Sequence, residues 1–134
     1  MGPVERSVAT LRIFGDDLDP DNITKLLGSP PTKAHRKGEV LTGKDGQSRS
    51  AKTGAWRLEA QDKEPCALNE QVHELLSKLS IDPKVWAELK SRYEMDLFCG
   101  LFLGDGNQGE SLSPDTLSAL GKRGITLGLD IYGP

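Results

Sequence analysis

The chain has 134 residues, with 17 basic and 20 acidic side chains and a formal net charge of −3. That length suits one domain over residues 1–134 and leaves too little for two independent cores, while the mild acidity argues against nucleic acid as a partner, since that affinity needs clustered positive charge. No apolar run approaches the roughly 18–20 residues that span a bilayer, and Met1–Ser7 lacks a signal-peptide core. Cys66 and Cys99 are too few for a disulfide scaffold. A cytoplasmic protein with no membrane partner is the expectation.

Val8–Phe14 alternates: Ala9, Leu11 and Ile13 share one face, Thr10 and Arg12 the other, which is the period of a half-buried strand. After Gly15-Asp16, Asp19 is placed to cap a helix whose first position is Pro20, where the missing N–H loses nothing. Ile23, Leu26 and Leu27 give that helix an apolar face, and Gly28 ends it. Thr32–Arg36 suits a short strand. From residue 37 to residue 54 the chain is basic and broken by glycine and serine, with Lys37, Lys44, Arg49 and Lys52 against Glu39 and Asp45. A loop of that length is a flexible segment, a solvated hairpin tip or a binding element.

Trp56, Leu58 and Ala60 alternate as a further strand. Ala67–Leu79 repeats Leu68, Val72, Leu75, Leu76 and Leu79 at helical spacing. Asp82-Pro83 opens another helix carrying Val85, Trp86 and Leu89. Met95–Leu103 is nearly all apolar and predicts a central strand buried on both faces. Ser113-Pro114 starts a short helix, and Ile125, Leu127, Leu129 and Ile131 alternate as a last strand with one wet face. These elements predict an α+β domain with a four- or five-stranded mixed or antiparallel sheet and helices mainly on one face. Two units repeat the order strand, Gly-Asp, Leu, capped helix, one around Gly15-Asp16 and the other around Gly104-Asp105. They suggest a split β-α-β arrangement of ferredoxin-like character, with the strands ending at Phe14 and Leu103 parallel and adjacent.

Taken together, Phe14-Gly15-Asp16-Asp17-Leu18-Asp19-Pro20, Pro31–Gly38 with His35-Arg36-Lys37, Thr53-Gly54-Ala55-Trp56, Gly104-Asp105-Gly106-Asn107 with Leu112-Ser113-Pro114, and Asp130-Ile131-Tyr132-Gly133 resemble a family of small bacterial domains known only as a domain of unknown function. The resemblance runs over nearly the whole chain. It implies a bacterial, mostly stand-alone domain and brings no activity, substrate or catalytic residue with it.

Several motifs invite chemistry. Gly38–Asp45 nearly fits a P-loop, but Asp45 stands where a hydroxyl must bind Mg²⁺, and no strand–helix context surrounds it. Gly104–Gly109 fits G-x-G-x-x-G, yet Glu110–Ser113 intervene before any helix, so a glycine-rich turn is the plainer reading. Counting Asp17 as position one of a calcium loop puts Asn22 at the sharp-turn glycine and Gly28 at the bidentate glutamate. If the two Gly-Asp units share a rim, however, Asp16, Asp17, Asp105 and Asn107 converge, and the three carboxylates become candidate ligands for Mg²⁺ or Ca²⁺. His35, Arg36 and Lys37 are candidates for gripping an anion or an acidic partner, with a salt-bridged strand facing the acidic rim as the plainer alternative.

No catalytic set is legible. The leading expectation is a non-enzymatic protein-interaction module, of inhibitor or immunity type, that uses an acidic rim and a basic loop for electrostatic recognition and needs no cofactor. The alternative is a metal-assisted enzyme or small polar-ligand binder, with a divalent cation on the rim and His35 as acid or base. The chain itself is expected to be a monomer or a weak homodimer, the latter through an exposed edge such as Ile125–Tyr132.

Overall fold

The computed structural model describes residues 2–134. Gly2–Pro3 (β1) precede the organising strand, Arg6–Gly15 (β2), in which Ser7, Ala9, Leu11 and Ile13 are buried while Arg6, Val8, Thr10, Arg12 and Phe14 lie on the half-exposed face. Pro20–Leu27 (α1) follows. Asp19 accepts from Asp21 N–H at 3.1 Å, Pro20 holds the first position, and Gly28 closes the helix at φ 81° with its N–H on Thr24 O. Lys33–His35 (β3) is shorter than the strand expected over 32–36. The basic segment that follows is a hairpin of Val40–Thr42 (β4) and Ser48–Ser50 (β5), turned at Gly46. Hence the solvated-hairpin reading fits better than a structureless loop.

Gly54–Glu59 (β6), Leu68–Leu76 (α2), Pro83–Arg92 (α3), Glu94–Phe102 (β7), Gln108–Gly109 (β8), Pro114–Lys122 (α4) and Thr126–Tyr132 (β9) complete the chain. The main sheet is mixed and five-stranded in the order β3-β6-β2-β7-β9, antiparallel throughout except that β9 runs parallel to β7. The parallel crossover of the main sheet therefore runs through β8 and α4 and joins direct neighbours, with no strand of that sheet lying between β7 and β9. This corrects the expected topology: β2 and β7 are adjacent but antiparallel, so the residues Phe14 and Leu103 lie at opposite ends of the strand pair.

The core lies on one face only. Leu11, Ile13, Trp56, Leu58, Leu97 and Leu101 of the sheet pack with Ile23 and Leu27 of α1, Val72 and Leu75 of α2, Trp86 and Leu89 of α3, and Leu120 of α4. Both tryptophans are buried there with their indole N–H groups satisfied, Trp56 donating to Thr24 Oγ1 at 3.1 Å and Trp86 to Ser80 O at 2.7 Å. The strand at 95–103 is central as expected, but it alternates. Met95, Leu97, Cys99 and Leu101 are buried, whereas Asp96, Phe98 and Phe102 reach a face that no helix covers among the described residues.

A buried polar knot ties β2 to α2. Ser7 Oγ donates to Gln71 Oε1 at 2.6 Å, and Gln71 Nε2 donates to Ser7 O and Gln61 O, both at 3.0 Å. The amide is satisfied on both its ends, so its burial carries no orphan donor.

Candidate functional site

The expected site divides into two places. At the end where β2 stops, register dictates the contacts. Ala55 pairs with both Phe14 of β2 and His35 of β3, so the residues following His35 step past the sheet beside Gly15-Asp16. Arg36 Nη2 meets Asp19 Oδ1 at 2.7 Å and Asp21 Oδ2 at 3.6 Å, and Lys37 Nζ meets Asp16 Oδ2 at 3.4 Å. Arg92 Nη2 stands 3.9 Å from Asp17 Oδ2. Thus His35 pairs through its backbone with Ala55, while Arg36 and Lys37, from the segment just beyond β3, are partners of the acidic rim. Such exposed pairs are worth about 0–1 kcal/mol each. They steady the loop and leave little unbalanced charge for recognition.

Asp105 and Asn107 stand at the opposite end. Phe102 pairs with Arg6, and the chain beyond it turns back beside Glu5, with Gly104 N–H donating to Gln108 Oε1 at 2.7 Å and Gly106 N–H donating to Asp105 Oδ1 at 2.7 Å. Nine residues of β7 lie between the two ends, roughly 30 Å at about 3.3 Å per residue. The convergence of Asp16, Asp17 and Asp105 with Asn107 was an expectation that the antiparallel pairing overturns. Among the described residues, no group of three or more His, Cys, Asp or Glu side chains is arranged to hold a metal ion.

Two features were not read from the sequence. The first is the helix-free sheet face, where the guanidinium of Arg6 lies 3.9 Å from the ring centre of Phe102 and that of Arg12 lies 4.6 Å from Phe98 and 5.1 Å from Phe14. Arg12 also grips Asp96 through two bonds of 2.8 and 2.6 Å, which raise its pKa against the opposing effect of burial. Arg57 lies 5.7 Å from Phe14, its Nε buried and without a hydrogen-bond partner among the described residues. Phe102 stacks on Tyr132 at 4.7 Å. The signal was present in the alternate positions of the strands, because Arg6, Arg12, Phe14, Phe98 and Phe102 all fall opposite the core residues.

The second is a cleft at the α3–β7 junction. One lobe of about 540 Å³ is lined by Gly15, Asp16, Thr53 and Arg92, and a second of about 380 Å³ by Asp96, Gly124 and Thr126. Phe14, Lys90, Tyr93 and Glu94 line both. Tyr93 is only 6 % exposed, and its hydroxyl has no partner among the described residues. Burial raises its pKa; Arg92 opposes this, and Asp17 and Asp19 add to it. The ring rests on Gly15, where a Cβ would come within 2.6 Å of Tyr93 Cδ1. Gly54 is held equally close, a Cβ there meeting Gly15 O at 2.7 Å.

Neither cysteine is poised as a nucleophile. Burial, then donation to Glu110 Oε2 at 3.0 Å, pushes the Cys66 thiol up to about 11, and burial pushes that of Cys99 up to about 12.

Fold and surface together define an α+β protein with four helices on one face of a five-stranded mixed sheet and an arginine–aromatic array on the other. A family model described as "Domain of unknown function (DUF4279)" matches residues 5–134, and the chain belongs to that family. Neither a curated protein nor a solved structure matches it. Among the described residues, no helix is long and apolar enough to cross a membrane.

Proposed function

We propose that the chain is a non-enzymatic protein-interaction module whose recognition surface is the helix-free face of the sheet. The observation that carries this reading is the array of Arg6, Arg12 and Arg57, whose guanidinium groups lie 3.9, 4.6 and 5.7 Å from the ring centres of Phe102, Phe98 and Phe14. Arginine and aromatic side chains dominate the energetics of protein interfaces. Here they sit on rigid strands, and stacking together with Asp96 has already ordered them, which lowers the entropy lost on binding. With a net charge of −3, a protein surface suits this face better than a polyanion. An inhibitor or immunity-type role fits a module that can lay a whole sheet face over another protein.

Affinity capture from the source cell tests it. Phe98→Lys and Arg57→Glu on the open face are expected to abolish retention of a specific partner while the circular dichroism spectrum is unchanged. Asp16→Lys on the rim is expected to retain the partner. Capture that ignores the face variants and disappears with the rim variant overturns the reading.

The unpartnered Tyr93 hydroxyl favours a second reading, a small polar ligand in the cleft between Lys90 and Glu94. Amide shifts confined to residues 90–94 and 14–17 on adding a polar ligand, and lost in Tyr93→Phe, would support it over the first.

A further inference from the structure

The two edges of the main sheet are unequal. One is β3, three residues long and carrying Lys33 and His35. The other is β9, seven residues long, with no lysine, arginine or proline and one acid, Asp130. Natural edge strands are protected by shortness, charge, proline or a covering element. β3 has the first two protections, and β9 has almost none.

The free side of β9 can be specified group by group. Leu103 N–H donates to Tyr132 O at 2.9 Å, so the backbone groups of Tyr132 face β7. By the strand's alternation those of Asp130, Gly128 and Thr126 do the same, while the N–H and C=O of Leu127, Leu129 and Ile131 face outward, with no strand among the described residues to receive them. The same three residues carry the apolar row. Their register with Leu97, Cys99 and Leu101 puts them on the helix side of the sheet, yet Leu129 is 50 % exposed and Ile131 57 %. Leu129 and Ile131 form one wall of an apolar groove of about 370 Å³ whose other lining includes Leu68, Leu103 and Leu112.

We infer that two copies of this chain pair through β9, antiparallel about a two-fold axis at Leu129. That register uses the whole strand. Leu129 faces Leu129 of the second copy, Leu127 faces Ile131, Thr126 faces Tyr132, and Asp130 faces Gly128. Every outward N–H and C=O of Leu127, Leu129 and Ile131 gains a partner, and the apolar rows meet on one face as a continuous strip. Charge selects this axis over the neighbouring one at Asp130, which would set two carboxylates against each other. The contact is isologous, so it closes at two copies and does not propagate. Pairing joins two five-stranded sheets into one and extends the open faces side by side. It does not depend on what those faces bind.

Sedimentation equilibrium of the full chain over a wide concentration range reads the association directly, and a reversible monomer–dimer equilibrium is expected. Leu129→Pro removes only an N–H that faces outward, so the β7 ladder survives while the pair at the axis is lost. It is expected to weaken the dimer by at least about tenfold, and Leu129→Lys, which sets like charges face to face, by a similar factor. Gly128→Lys has room, the nearest atom to its Cβ being Leu97 O at 3.9 Å. It places a cation opposite Asp130 of the second copy and is expected to tighten the dimer several-fold at low salt, with the gain lost at high salt. A gain of affinity cannot come from misfolding. A wild type that stays monomeric at every concentration, a dimer indifferent to both Leu129 variants, or no tightening by Gly128→Lys overturns the inference.

Discussion

The two strand–Gly-Asp–helix units of this chain are near copies in sequence and opposites in place and role. In the first, a single residue separates Gly15-Asp16 from Leu18, and the helix begins at once. The loop is pulled tight, Gly15 lies under the Tyr93 ring, and Asp16, Asp19 and Asp21 are taken up by Lys37 and Arg36. In the second, Gly106–Ser111 intervene between Asp105 and Leu112, and the chain becomes a strap. Gln108 and Gly109 pair with β1, and Glu110 Oε2 accepts from Cys66 Sγ and from Leu68 N–H at 3.2 Å, at the start of α2. The Gly-Asp step is the same in both. The length of the spacer decides whether it becomes a braced rim or the start of a strap across another helix.

The largest expected difference between the units lies in their glycines. Gly15→Ala forces a Cβ to within 2.6 Å of a buried tyrosine ring carbon, and overpacking of this kind costs about 1–3 kcal/mol in urea unfolding. At Gly104 the added Cβ meets only the end of the flexible Glu5 side chain, at 2.8 Å. Gly104→Ala is expected within about 0.5 kcal/mol of wild type. Equal losses would erase the distinction between a braced rim and a free turn.

A smaller effect belongs to the strap. Burial acts to raise the Glu110 pKa, but hydrogen bonds from Cys66, Ser111 N–H and Leu68 N–H outweigh it and hold the carboxyl below its ordinary value. A depressed folded-state pKa means stability that is present above the unfolded value, about 4.3, and is lost as pH falls through the folded value. Glu110→Gln is expected to be modestly less stable than wild type at pH 7, by less than about 1 kcal/mol for so exposed a group, and the gap should close in acid. Because Glu110 also helps hold the Cys66 thiol up, the variant should react faster with a thiol reagent at pH 8. A gap that widens in acid would reverse the assignment.

The smallest effect sharpens the comparison most. Asp16→Asn and Asp105→Asn are each expected within about 0.5 kcal/mol of wild type, and the double variant should equal the sum of the singles to about 0.3–0.5 kcal/mol. Coupling beyond that would mean that the two carboxylates meet after all.

Much of the local structure was legible. Asp19-Pro20, Asp82-Pro83 and Ser113-Pro114 each cap a helix where the sequence placed one, and Gly28 ends α1 in the left-handed conformation. The salt-bridged alternative for Arg36 and Lys37 was legible as well, since it asked only for a strand beside an acidic turn. The shared rim was not. It rested on two similar strands running parallel, and nothing within either strand states the direction of its neighbour. The Tyr93 cleft was equally hidden, because Gly15, Thr53 and Tyr93 come from three separate parts of the chain. The start of α2 shows the same limit. Ala67 offers no cap, and the orphan N–H groups of Ala67 and Leu68 are served by Ser7 Oγ and Glu110 Oε2 from distant segments.

Whatever acts over a few residues is written in the chain itself: the period-two and period-3.6 patterns, the caps, the turn at Gly28 and the core-facing side of the alternating strands at 8–14 and 56–60. These follow from steric and hydrogen-bonding rules between residues up to four apart. Strand order, the opposite placement of the two Gly-Asp units, the closure of α2 by Ser7 and Glu110, and the one-sided burial of β7 emerge only in the assembled fold. Each depends on pairing between segments far apart in the chain, where many registers share one hydrophobic pattern and the burial of the whole core selects among them.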